Sequence, residues 1–372
     1  MIQPKAFIDA LAQGGVDFFA GVPDSLLKNL CAYITDKVSR EKNIIAANEG
    51  NAVGLAAGYH LATSKVGCVY MQNSGEGNIV NPLLSLVDED VYHIPMLLVI
   101  GWRGEPGVHD EPQHKKQGKV TLSLLETMGV PYAVLEENWE QQVAQALTQI
   151  RETNGVYALI VRKGTFEDYT LQNQTVSSLP LSREEAIKIV VDKLRKDDIV
   201  VSTTGMISRE LFEYREALGQ GHGADFLTVG SMGHASQIAL AIALQKPNRR
   251  VFVFDGDGAL LMHMGGMAII GDYCPKNLVH IVFNNGAHDS VGGQPTVGLS
   301  IDLPKIAEAV GYKKVLKASD ETELRAALSQ LDICEKTELV EICVRKGNRK
   351  DLGRPTTTPI ENKEAFMQNL KK

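Results

Sequence analysis

The sequence predicts an α/β protein made of two doubly wound parallel-sheet domains in series. Strand and helix signals alternate along almost all of its 372 residues. The strand candidates are unbroken apolar, β-branched runs, such as 96–100 and 278–283, as expected of strands covered on both faces. Between two such stretches, KGTFEDYTLQNQTVSSLPLS (163–182) is polar, aperiodic and carries Pro180, the character of a linker. The expected organisation is a first domain at 1–165, a linker at 166–182 and a second domain at 183–372. At roughly 100–200 residues per domain, each half can bury its own core.

In the first half, apolar spacing predicts a helix over 4–13, a strand over 17–22 closed by Gly21 and Pro23, and a helix over 26–34. A strand at 44–47 precedes a small-residue helix at 51–63. Strands follow at 66–71, 96–100, 132–135 and 157–161, separated by helical patterns. The second half restarts with a helix at 183–195 and a strand at 199–203, then helices at 208–216 and 235–244. VFVFDGDG (251–258) reads as a strand running into a glycine turn, and LVHIVFNN (278–285) as another strand. Helices at 303–310 and 321–331, a strand at 339–344 and a final helix at 362–370 complete the pattern.

Composition narrows the function. Lys and Arg total 38 against 45 Asp and Glu, a net charge of −7, so no bulk basic charge points to nucleic acid or an anionic membrane. No apolar run approaches the roughly 18 residues of a membrane span. The N-terminus lacks a signal-peptide layout, and Cys31, Cys68, Cys274, Cys334 and Cys343 are scattered without a CxxC pair. That usage suits a reducing compartment, and the expected location is cytoplasmic. Cys68 and Cys274 are assigned to packing.

The strongest chemical signal is GDG at 256–258 followed by NN at 284–285, with 25 residues between them. Both groups fall where a predicted buried strand ends, and the carboxyl ends of parallel strands form the ligand crevice of such a sheet. An Asp and an Asn there offer hard oxygen ligands and leave positions for phosphate oxygens and water, which suits octahedral Mg²⁺. The glycines beside Asp257 let backbone N–H groups approach a diphosphate. GDG alone also fits a simple tight turn. Leu261 stands where a dinucleotide fingerprint needs its third glycine, and no GxxxxGK[ST] motif is present.

GDG and NN at this spacing resemble the diphosphate and metal motif of thiamine diphosphate enzymes. AANEGNAVGLAAGY (46–59) is similar to their pyrimidine-binding segment, in which a glutamate ends a strand and precedes a small-residue helix. GSMG (230–233) is similar to the turn that holds the cofactor bent. The resemblance spans essentially the whole chain, without the middle domain of larger members. GVPDSLL (21–27), YMQNSGEGNIVNPL (70–83) and GWRGEPGVHDEPQH (101–114) look closest to the phosphonopyruvate decarboxylases, with sulfopyruvate decarboxylases as compact relatives.

The resemblance implies a role for each matching residue. Glu49 would hydrogen-bond to the aminopyrimidine ring and favour the tautomer that takes the C2 proton of the thiazolium. Met232 would wedge between the cofactor rings, with Ser231 in the same turn, and the Gly230 carbonyl would accept from the exocyclic amino group. Gly256, Asp257, Gly258 and Ala259 would face the diphosphate, Ala259 replacing the serine common there. The metal set projects onto Asp257, Asn285 and the carbonyl of Ala287. Asn284 has the more usual separation from Asp257; Asn285 is preferred because a strand alternates faces and GAHDSVGGQ aligns better that way. Asn73 and Ser74, with Gly75, resemble the polar turn beside the thiazolium.

Asp24, His109 and His114 lie in loops that resemble those meeting the keto acid, and a histidine titrating near neutrality suits the protonation that follows loss of CO₂. Arg103 is the candidate donor to an anionic headgroup; Lys115 and Lys116 are read as solvated. The implied activity is Mg²⁺- and thiamine diphosphate-dependent decarboxylation of 3-phosphonopyruvate, a 2-keto acid with an anionic headgroup. Sulfopyruvate decarboxylation and a noncatalytic cofactor-binding homologue are the alternatives. The implied assembly is a homo-oligomer, at least a dimer, with sites between subunits.

Overall fold

Apolar runs too long for one-sided burial become the inner strands of two parallel sheets, one in each of two compact units, Met1–Gln174 and Thr175–Lys372. The computed structural model describes residues 1–173, 177–332 and 336–371. Cys334 and positions 174–176 of the predicted linker lie outside the described residues.

In the first unit, β1 (Phe19–Gly21), β2 (Asn43–Ile45), β3 (Gly67–Gln72), β4 (Met96–Gly101), β5 (Tyr132–Val134) and β6 (Val156–Val161) pair in the order β2-β1-β3-β4-β6-β5, all parallel. Side chains on β4 alternate between two cores. Leu97 and Val99 pack with Phe7 and Leu11 of α1 (Pro4–Gln13), whereas Met96, Leu98 and Ile100 join Val53 and Ala56 of α3 (Glu49–Thr63). Helices α2 (Lys28–Lys37), α4 (Glu76–Pro82), α5 (Pro112–Thr127) and α6 (Trp139–Thr153) complete this unit. Residues 166–173 run along it: Phe166 meets Phe7 edge-on at 5.2 Å, and Asp36 accepts from Gln172 N at 2.8 Å.

The second unit repeats the topology. Strands β7 (Ile199–Ser202), β8 (Asp225–Leu227), β9 (Val251–Gly256) and β10 (Leu278–Asn284) precede a two-stranded hairpin, β11 (Ala287–His288) and β12 (Gln294–Pro295). β13 (Lys314–Ala318) and β14 (Glu338–Cys343) follow, and the sheet order is β8-β7-β9-β10-β14-β13. Its helices are α7 (Arg183–Val191), α8 (Met206–Ala217), α9 (Ala235–Gln245), α10 (Asp257–Met262), α11 (Gly265–Tyr273), α12 (Leu303–Ala309), α13 (Glu321–Ser329) and α14 (Pro359–Leu370). Among the described residues no helix is long and apolar enough to cross a membrane.

Several expected boundaries move for physical reasons. Glu49 does not end a strand; it is the first residue of α3, and Asn48 caps the helix by accepting from Asn51 N at 2.9 Å. Asp257 and Gly258 open α10 instead of forming a glycine turn. Four strands escape the sequence pattern: β8, β11 and β12 because they are only two or three residues long, and β13 because its lysines make it an ordinary amphipathic edge.

Candidate functional site

Because both sheets reverse strand order between their first and third strands, the carboxyl ends of β1 and β3, and of β7 and β9, are the places where a crevice opens. In the first unit that opening carries Asp24 after β1 and the Asn73–Gly75 turn after β3. Asp24 is fully buried. One of its oxygens accepts from the backbone of Leu26 at 2.9 Å and Leu27 at 3.2 Å, the other from Gln72 Nε2 at 2.5 Å. Burial raises its pKa, and these donors together with the Arg103 charge oppose the shift. Gly101 must be glycine here, since a Cβ would stand 2.1 Å from Asp24 Oδ2.

Asn73 is buried and clamps the loop after β4: Nδ2 donates to Arg103 O and Thr121 Oγ1, both at 2.8 Å, while Oδ1 accepts from Arg103 N at 3.0 Å. Ser74 is exposed and donates to Gln72 Oε1 at 2.7 Å. Glu49 is 5% exposed; Oε2 accepts from Asn78 Nδ2 at 2.6 Å. A Cβ on Gly75 would lie 2.4 Å from Glu49 Oε1, so the missing side chain is what admits the carboxylate. The structure thus brings Asp24, Asn73, Ser74 and Glu49 to one end of the sheet.

Arg103 is already engaged. Nε and Nη2 donate to the two oxygens of Asp110 at 2.8 and 2.5 Å, and Nη1 donates to Ser25 Oγ at 2.7 Å. Burial alone would raise Asp110, yet the guanidinium and the Glu111 and Gly104 N–H groups hold it well below the usual carboxylate range. His109 is exposed on the same loop, His114 is buried in the first turn of α5, and Lys115 and Lys116 face solvent. Cys68 is buried and its thiol is pushed up by burial, consistent with packing; Cys274 is half-buried and ends α11 with a left-handed backbone.

In the second unit the turn at 230–233 is held by two residues with positive φ, Ser231 at 54° and Gly233 at 85°. A Cβ on Gly233 would sit 2.7 Å from His263 Cδ2 and 2.9 Å from Ala259 O. The tip of Met232 reaches the other motif, 3.6 Å from where a Gly258 Cβ would stand. Gly256 ends β9, and Asp257 follows, 3% exposed, accepting from Thr296 Oγ1 and, at 3.4 Å, from Asn285 N. Burial pushes Asp257 up to about 6, against those hydrogen bonds.

Both asparagines approach this carboxylate differently. Asn284 Nδ2 donates to Glu341 Oε1 at 2.6 Å and Gly298 O at 2.9 Å; a Cβ on Gly298 would stand 2.7 Å from Asn284 Oδ1 and 2.6 Å from Asp257 Oδ2. Asn285 touches Asp257 through its backbone, accepts from Ala287 N at 3.0 Å and donates to Asp289 Oδ2 at 2.7 Å. Among the described residues no three His, Cys, Asp or Glu side chains cluster as a metal cage, so a cation at Asp257 relies on amide and carbonyl oxygens. A buried carboxylate among such oxygens fits a hard divalent ion. Sequence reasoning missed Gln72, Asn78, Thr121 and Thr296, which hold the named side chains; ordinary polar residues carry no signal until the fold supplies their partners.

Comparison with known proteins gives the family of the chain. Residues 4–124 match the thiamine pyrophosphate enzyme N-terminal TPP binding domain, and residues 203–342 match the C-terminal TPP binding domain. A phosphonopyruvate decarboxylase of Streptomyces viridochromogenes is 34% identical over 98% of this chain and 94% of its own length. One from Streptomyces hygroscopicus is 33% identical over 99% and 94%. A sulfopyruvate decarboxylase of Methanosarcina acetivorans is 28% identical over 98% and 96%.

Proposed function

The chain belongs to the thiamine pyrophosphate enzymes, and from that premise we propose that it decarboxylates 3-phosphonopyruvate to phosphonoacetaldehyde and CO₂. It is a carbon–carbon lyase: the bond between the carboxylate and the keto carbon breaks, and a proton takes the place of CO₂. The observation that carries the reading is the buried Glu49 carboxylate, seated over Gly75 with Asn78 as its hydrogen-bond partner. That arrangement excludes water from a carboxylate while leaving it a proton acceptor.

Bound thiamine diphosphate supplies the carbon nucleophile and the electron sink of the reaction. Glu49 would bind its aminopyrimidine. Gly230, Ser231 and Met232 would hold the bend, and the backbone from Gly256 to Ala259 would face the diphosphate. Asp257, Asn285 and the Ala287 carbonyl would hold Mg²⁺, with Thr296 steering the Asp257 carboxylate. Asn73 and Ser74 would shape the thiazolium side. His109 and His114 would handle the product's proton, and Asp24 would relay it or orient a water at the substrate carboxylate.

The family resemblance implies a homo-oligomer, at least a dimer, in which the two TPP binding domains of different subunits complete each site. Inactive Glu49→Gln and Asp257→Ala chains should then recover partial activity when mixed, because one mixed site is free of both changes. A fully active monomer at assay concentration would defeat that assembly.

The direct test is aldehyde and CO₂ release from phosphonopyruvate, sulfopyruvate and pyruvate. Preference for phosphonopyruvate, widening as its headgroup becomes dianionic, supports the proposal; preference for sulfopyruvate transfers the function to that acid. Three of the five Arg103 N–H groups are taken by Asp110 and Ser25, which leaves two for a headgroup, and Arg103→Ala separates two roles. A raised KM for phosphonopyruvate with pyruvate turnover unchanged, about 10–150-fold on the scale of a lost charged hydrogen bond, marks a headgroup donor. Equal slowing of both marks loop support.

A further inference from the structure

Glu76 has no part in the chemistry above, yet it is fully buried at the first residue of α4, and neither carboxyl oxygen makes a well-formed hydrogen bond. It follows directly on the Asn73–Gly75 turn, whose Gly75 admits the Glu49 carboxylate. Its neighbours across the turn are Thr121 and Gln117 of α5. Thr121 donates its single hydroxyl proton to Gln117 O at 2.9 Å and accepts from Asn73 Nδ2 at 2.8 Å. With that proton drawn to Gln117 O, Thr121 is a poor donor toward Glu76, whereas its remaining lone pair can accept from a protonated carboxyl. Gln117 Nε2 is bonded to Asn73 O at 2.9 Å, so the residues that surround Glu76 are those that hold the turn.

We propose that Glu76 is a positioning residue that works in its protonated form, bracing the Asn73–Gly75 turn against α5 so that Glu49 stays seated on Gly75. Loss of the proton leaves a buried charge without a well-formed hydrogen bond and loosens the turn. The surroundings agree. Burial pushes Glu76 up to about 8, opposed only by Thr121 and Gln117. The charged and titratable groups of the neighbouring elements, Glu49 on α3, Arg103 after β4 and His114 on α5, add nothing to that shift. A group raised in this way contributes stability that is complete below its ordinary range near 4.5 and is lost as pH rises through about 8.

The proposal rests on the reading of Glu49 as the cofactor's partner, and two measurements on the full-length protein test it separately. Melting of the unliganded protein should show Glu76→Gln gaining on wild type from pH 5 to pH 8, by roughly 5 °C or more at the upper end. Thiamine diphosphate affinity, measured with Mg²⁺ by calorimetry, should fall for wild type by about tenfold per pH unit above 8 and stay flat for Glu76→Gln. Glu76→Leu serves if the amide does not fold, and Glu76→Asp should restore the alkaline fall. Parallel melting curves, or the same alkaline fall in wild type and Glu76→Gln, overturn the proposal. Absence of cofactor binding in wild type at pH 7 would instead overturn the cofactor assignment, and the melting comparison would still decide the protonation state.

Discussion

Glu49→Gln should retain thiamine diphosphate binding and lose about 10²–10⁴-fold in turnover, the usual scale of a positioned acid–base group. The amide preserves size and can still pair with Asn78, and Gly75 leaves it room, so the pocket survives. What it cannot do is accept and hold a proton at the position of Oε1. Hydrogen–deuterium exchange at C2 of the bound cofactor reads that step directly and should slow in proportion. Unchanged exchange would remove Glu49 from proton transfer and leave it a helix-start carboxylate, favoured by the helix dipole alone.

Asp257→Asn should separate stability from function. Burial raises this carboxylate from 3.8 to about 6, so without a cation the folded state holds a proton that the unfolded chain has released. Its favourable contribution is complete below about 3.8 and is lost as pH rises through about 6. At roughly 1.4 kcal/mol per pKa unit, the carboxylate costs the unliganded protein about 3 kcal/mol at pH 7, an upper estimate. Asp257→Asn should therefore raise the melting temperature at pH 7 by roughly 6 °C and change little at pH 4. Added Mg²⁺ and thiamine diphosphate should stabilise wild type by mass action and the variant far less, with activity lost. A variant that melts like wild type at pH 7, or that gains as much from Mg²⁺, would show that Asp257 is not the cation's anchor. A site kept at the cost of stability is what a metal-binding carboxylate predicts.

The fold was legible because its signal is local. A run such as Met96–Gly101 has no polar alternation, and only a sheet covered on both faces can bury it. The spacing of GDG and NN was legible for the same reason, since each motif ends its own strand run and parallel strands deliver their carboxyl ends to one side. The turn at GDG was misread because helix α10 begins at Asp257 with only six residues, too few to show a period. β13 was missed because its lysines at an edge look like loop polarity.

The sequence by itself determined which segments must be buried and which motifs end them: the two α/β units, the Glu49 segment, the 230–233 turn and the Asp257 motif. Only the tertiary structure decided which polar groups have partners. Arg103 read as a headgroup donor until the loop brought Asp110 and Ser25 to it, and Asp24 read as a residue of a loop meeting the keto acid until Gln72 and two backbone N–H groups took its oxygens. Nothing in the sequence marks Glu76, which α5 buries without giving it a well-formed hydrogen bond. The physical reason is that burial follows from a residue's own neighbours along the chain, whereas a hydrogen-bond partner comes from a strand or helix placed beside it by sheet order. β3 lies next to β1 and β4, so Gln72 meets Asp24 and Asn73 meets Arg103, pairings that no local pattern records.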